Sequence, residues 1–297
     1  MIHGVALCAG VGGLELGLKL AIGSAYRTVC YVEREAFAAA ILAARMADKA
    51  LDSAPVWDDA ATFDGRPWRG RVDIIATGFP CQPASVAGER KGQADERWLW
   101  PAIARIIRHV RPSLVFVENV PGLLSVDGGA AMGAVLGTVA DLGFAAEWDL
   151  FSAAEVGAPH RRERLFLLAV ADRQRREIGK KLHRAATFCA SRRDSLGFDV
   201  DVCGGDVVAN ANQQSNDDGP CDAGAIRRKL KSPSDVSGSK CEGHSPGRGW
   251  WSVEPSIPRV AHGVANRLER LRAIGNGVVP LQAAYAFRLL AARMGLL

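Results

Sequence analysis

The chain has no apolar run near the roughly 18 residues needed to cross a bilayer, so no membrane span is expected. Its first residues, Met1-Ile2-His3-Gly4, lack a basic stretch ahead of an apolar one, and no secretory signal is expected either. Cysteine shows no paired pattern: there are seven, an odd number, with no CxxC. Cys189, Cys203, Cys221 and Cys241 lie 14, 18 and 20 residues apart, wider than zinc ligands usually stand, so neither a disulfide framework nor a metal is expected. These absences point to a reducing, cytoplasmic setting. Lysine is scarce, with eight against 29 arginines and a net charge of +5. Arginine suits bidentate contacts to phosphate and guanine. A chain this rich in Ala and Gly also gains arginine from genomic composition, so the charge is only a mild hint of nucleic acid.

With 297 residues, 48% of them hydrophobic, the chain can build one large domain, or a large and a small one. Up to residue 171 it alternates strand-like and helix-like segments. Residues 5–10, 28–33, 72–78, 114–120 and 164–171 read as strands, and 14–21, 36–47, 100–110 and 130–143 as helices. Apolar strands alternating with helices predict an α/β fold, a parallel sheet covered on both faces. From Asp172 to about Trp250 the pattern gives way to Ser, Gly, Asn, Asp and paired basic residues, 14 basic against 11 acidic. That stretch predicts a small irregular region. Helical periodicity returns over Pro280 to Met294. The expected division is therefore 1–171 plus 272–297 as one domain, with 172–271 as a second region.

Four places carry chemistry. "CAGVGG" (Cys8 to Gly13) follows a strand and opens a helix, and Glu33 ends the next strand. Such a glycine turn with an acidic partner suits a ribose-containing cofactor. A dinucleotide pattern would need glycine where Glu15 stands, so an adenosyl cofactor without phosphates fits better; a dinucleotide site and a plain tight turn stay open on these residues. "GFPCQP" ends the third strand, with Pro80 and Pro83 stiffening the backbone around Cys81. Packing requires no such pair of prolines, and the setting suits a nucleophilic thiol. Glu118 and Asn119 end the following strand. If the two strands are parallel neighbours, Glu118 stands beside Cys81 as an acid with a raised pKa. Arg162 and Arg164, two apart at the entry of a strand, share a face.

In this order the segments resemble the cytosine-C5 DNA methyltransferase family, over most of residues 4–171 and again over about 250–297. The resemblance implies a Rossmann-like, adenosylmethionine-dependent methyltransferase sheet with a small irregular target-recognition domain. It implies S-adenosyl-L-methionine held by Ala9, Gly10, Gly12, Gly13, Leu14, Glu33, Arg34, Asp59, Pro80, Asn276 and Val278. It implies Cys81 as nucleophile, with Glu118, Arg162 and Arg164 in the catalytic set. Phe79, Gln82, Ser85, Asn119, Arg90, Lys91 and Arg97 would meet double-stranded DNA, the last three on a mobile loop over Ala84 to Trp98. The enzyme so implied is a monomer without metal, in the cytoplasm of a bacterium or a phage-infected host, within restriction-modification or as an orphan modifier. One branch of the family methylates tRNA, which leaves RNA as the other substrate class. The chain departs from the family at Cys8, where an aromatic is usual, near Ala6, where an Asp is common, at Arg34, where an apolar or Trp residue is more usual, and at His160, where Gln is usual.

Overall fold

The computed structural model describes residues 1–80, 98–191 and 267–297, with backbone alone for 187–191 and 267. These residues belong to one unit, formed by Met1–Arg193 with Gly249–Leu297. Its strands are β1 (Ile2–Leu7), β2 (Tyr26–Val32), β3 (Val56–Trp57), β4 (Ile74–Thr77), β5 (Leu114–Asn119), β6 (Phe144–Phe151) and β7 (Arg164–Ala171). The helices are α1 (Gly13–Ile22), α2 (Ala36–Ala47), α3 (Trp100–Val110), α4 (Ala130–Asp141), α5 (Arg175–Ser191), α6 (Arg267–Asn276) and α7 (Pro280–Arg293). The sheet runs β3-β2-β1-β4-β5-β7-β6.

Strands buried on both faces read as unbroken apolar runs, and β5 is one. Its Leu114 and Phe116 face a cluster with Phe287 and Leu290 of α7, while Val115 and Val117 face one with Ile103 of α3 and Val135 of α4. The sheet is thus filled on both sides, as expected of an α/β fold. Where expectation and structure part is direction. β1 to β5 are parallel, but β7 lies antiparallel between β5 and β6, in register Glu118↔Phe166 and Asn119↔Leu165. The reversal follows from β6, an additional strand that turns straight back into β7.

A second difference lies beyond Ala171. α5 covers the start of the stretch whose composition reads as irregular. Its Ile178, Leu182 and Ala185 recur at helical spacing, are buried, and join the cluster of α1 and α7. The packed unit therefore extends past the composition change.

α1 and α7 meet almost backbone to backbone. A Cβ on Gly13 would come within 2.5 Å of the Val278 carbonyl oxygen, and one on Gly17 within 2.6 Å of the Ala283 Cβ. Only glycine, four residues apart on one helical face, permits that approach. It brings the chain around Val278 against the loop after β1.

Candidate active site

The sheet order reverses between β1 and β4, the place where open α/β sheets bind ligands at the carboxyl ends of their strands. The loop after β1 is held from several sides. Ala9 N–H donates to the Val32 carbonyl at 3.1 Å and Gly12 N–H to the Ala9 carbonyl at 2.9 Å. Gly10 N–H donates to Glu33 Oε2 at 2.6 Å, while Glu33 Oε1 accepts from the Glu35 N–H at 2.8 Å. Arg45 of α2 donates to the Val11 carbonyl. The loop is thereby preorganised around a small pocket. Ala9, Gly10, Gly13, Leu14, Glu118, Asn276 and Val278 line it, together with Cys8, Val11, Gly78 and Gly277.

Cys8 has φ 52°, a strained left-handed setting for a side chain. Burial pushes its thiol up to about 12, with the negative charges of Glu33 and Asp59 adding to the effect and the Thr77 hydroxyl acting against it. It is a neutral wall of the pocket, not a second nucleophile.

Glu118 closes the inner end. The parallel pairing of β4 and β5, Thr77↔Val117, sets its carboxylate beside Gly78: a Cβ there would stand 3.1 Å from Glu118 Oε2. Arg164 Nε lies 3.0 Å from Glu118 Oε1, both side chains largely buried. The antiparallel run of β7 makes this contact possible, because it puts the start of β7 at the end of β5. Burial raises the Glu118 carboxyl to about 7, against the pull of the Arg164 and Arg162 charges and the Arg164 hydrogen bond. The group can hold a proton near neutral pH while remaining oriented by a cation.

Arg162 does not pair with Glu118. It precedes β7 with φ 28° and donates through Nη2 to the Gly275 carbonyl at 2.7 Å and to that of Gly277. The shared face expected from strand alternation is therefore absent, since only Arg164 is in the strand. Desolvation lowers the Arg162 pKa, and the nearby Arg164 lowers it further.

Other expected residues are placed differently. Gly12 is buried at the start of α1, outside the pocket lining. Asp59 is half-buried near Cys8 and accepts from the Ala61 N–H at 2.8 Å. Arg34 and Pro80 are exposed. Phe79 is 2% exposed and packs on Trp98 and Trp100, so its ring belongs to the core. Buried Asn119 donates to the Phe79 carbonyl at 3.1 Å and accepts from the Val120 N–H, which ties the end of β5 to the chain leaving β4. Cys81, Gln82, Ser85, Arg90, Lys91 and Arg97 lie outside the described residues. Gln282, absent from the expected set, is fully buried and donates to the Phe151 and Arg162 carbonyls. A lone amide between apolar helix positions was its only signal in the sequence.

Residues 2–193 match the C-5 cytosine-specific DNA methylases. The chain belongs to that family. Among curated relatives it is 33% identical to the type II methyltransferase M.PspPI of Psychrobacter sp. (strain TA137), over 67% of this chain and 47% of that one. It is 34% identical to the type II methyltransferase M.Eco47II of Escherichia coli, over 55% and 38%. It is 32% identical to the type II methyltransferase M.NgoMIV of Neisseria gonorrhoeae, over 55% and 50%. The chain spans about half the length of the curated relatives it matches.

The pocket's chemistry fits the adenosyl cofactor that the family implies. Among the described residues no Lys or Arg lines it, Glu118 does, and Glu33 stands behind the loop. That set would repel a pyrophosphate and favour a sulfonium cation. A Cβ on Gly10 would meet no atom within 4 Å, so the backbone there is open to a ligand. The two Glu33 oxygens each keep a lone pair beyond their backbone bonds, enough to accept from ribose hydroxyls. Among the described residues, no group of three or more His, Cys, Asp or Glu is arranged to hold a metal, and no helix is long and apolar enough to cross a membrane.

Proposed function

We propose that this protein methylates C5 of cytosine within a specific sequence of duplex DNA, as a type II modification enzyme or an orphan counterpart. The observation that carries the reading is the buried Glu118–Arg164 pair at the inner end of a glycine-walled pocket, in a chain of the cytosine-C5 family. Bound S-adenosyl-L-methionine would supply an electrophilic methyl group on sulfur, held by Gly10, Gly13, Leu14, Asn276 and Val278 with Glu33 at the ribose.

Cytosine C5 is a weak nucleophile. Addition of the Cys81 thiolate to C6 of a flipped cytosine would form a C6–S bond and move electron density to C5. Glu118 would give its proton, or a hydrogen bond, to N3 in that step, and Arg164 would hold O2 of the base. After C5 takes the methyl, with the cofactor left as its neutral thioether, a base would remove the C5 proton, the C6–S bond would break to return the thiolate, and N3 would give its proton back to Glu118. Arg162 serves the pocket wall instead of the base. Of the stretch 172–271, the part beyond α5, residues 192–266, would take the recognition role, its basic pairs gripping phosphates, and Arg90, Lys91 and Arg97 would contact the strand near the flipped base.

Expression in a host free of cytosine methylation should place 5-methylcytosine at one short recurrent sequence, read by bisulfite sequencing. Cys81→Ala should abolish it. An unmethylated genome with the parent protein present at normal levels would count against the reading, and label appearing only in tRNA would transfer it to RNA.

A further inference from the structure

We infer that Gln282 is a positioning residue: its buried amide fixes the backbone of Arg162, and Arg162 fixes the wall of the cofactor pocket. Gln282 sits in the first turn of α7 with no exposed surface. Its Nε2 carries two N–H groups, and both are engaged. One donates to the carbonyl of Phe151, the last residue of β6, at 2.8 Å; the other donates to the carbonyl of Arg162, just ahead of β7, at 2.9 Å. The amide thus spans the mouth of the connection between β6 and β7. That connection is closed on itself next door, where Ser152 Oγ and the Ala153 N–H both donate to the Arg161 carbonyl at 2.7 Å.

Arg162 needs such a clamp. At φ 28° it occupies a region that non-glycine residues avoid, and the conformation persists only where its surroundings over-determine it. Gln282 holds its carbonyl; the Gly275 and Gly277 carbonyls hold its guanidinium. Those two glycines flank Asn276, which lines the pocket with Gly277 and Val278. Two consecutive links therefore run from the α7 amide to the pocket wall. The same Arg162 charge acts on the Glu118 carboxyl, so the clamp also sets how far Arg162 stands from the acid. Replacing the amide by an apolar residue of equal volume takes its donor from both carbonyls at once.

The inference rests on the reading of this pocket as the adenosylmethionine site, and two measurements separate the two. In the full-length protein, Gln282→Met keeps the side-chain volume and removes both donors. Hydrogen exchange of the peptide covering 274–281 should quicken in the protein alone. The dissociation constant for adenosylmethionine, by calorimetry, should rise about tenfold. Arg162→Lys, which breaks the chain at its other link, should do the same. The double variant should bind little worse than either single one, because the links act in series. If exchange and affinity stay within about twofold of the parent while only the melting temperature falls, the amide is merely structural and the inference fails. Additive losses in the double variant also overturn it. A parent protein that binds no adenosylmethionine overturns the site reading instead, and the exchange measurement then decides the link by itself.

Discussion

A carboxyl group that is to protonate a base must still hold its proton when the base arrives. In the proposed chemistry Glu118 would meet that need through burial, which lifts it to about 7, while the Arg164 guanidinium 3.0 Å away fixes its orientation. Turnover should therefore fall on the alkaline side with a midpoint near 7. In Glu118→Gln that limb should vanish and the rate should drop by about 10²–10⁴, both read from a pH series of methyl incorporation. Glu15 carries the same kind of shift with no such use in the proposed chemistry. It is 2% exposed, its Oε2 has no hydrogen-bond partner, and burial raises it from 4.5 to about 7. A raised carboxyl favours folding only while protonated, so its contribution is complete below about pH 4.5 and lost as pH climbs through 7. Glu15→Gln should leave stability at pH 4.5 nearly unchanged and raise it by about 2–4 kcal/mol at pH 8 in urea titrations.

At the scale of elements, α1 and α7 approach so closely that one added methyl would spoil the contact. A methyl at Gly17 would gain helix propensity of about 1 kcal/mol yet collide with Ala283 and the Pro280 carbonyl. Gly17→Ala should therefore destabilise the protein by about 2 kcal/mol net, measured by denaturant midpoint. Elements were also where sequence reading succeeded and failed for identifiable reasons. Strands β1, β2, β4, β5 and β7 announce themselves as apolar runs because both faces are covered. β6 does not: Glu147, Trp148 and Leu150 face outward on a sheet edge, which dilutes the apolar signal. Without β6 nothing in the sequence reveals that β7 runs backwards, and apolar runs carry no arrow. α5 hides for another reason, since its paired basic residues dominate the composition around the buried stripe of Ile178, Leu182 and Ala185. In the site, the glycine loop, Glu33, Glu118 and Arg164 were legible from residue type and strand-end position. The partners of Arg162 and the burial of Phe79 were not, because both depend on contacts between segments distant in sequence.

For the molecule as a whole, the pocket draws on four separated stretches, near residues 8–14, 78, 118 and 276–278. A ligand bridging them stabilises the folded state by mass action. Adenosylmethionine at about 100 times its dissociation constant should add about 2.7 kcal/mol, or a rise of about 5–11 °C in melting temperature for a unit of this size. Differential scanning fluorimetry would show it, with NAD as the control expected to give no shift, since among the described residues no Lys or Arg lines the pocket to meet a pyrophosphate.

The seam between α1 and α7 also has a meaning in time. A ribosome makes Gly13 early and Val278 more than two hundred residues later, yet the two lie in contact. Until α7 emerges, the apolar side of Phe116 and Phe166 lacks Phe287 and Leu290, and the pocket lacks one wall. A nascent chain, or one ended between 192 and 266, lacks Asn276, Gly277 and Val278, and so presents the pocket without that wall however much of the sheet it has already assembled.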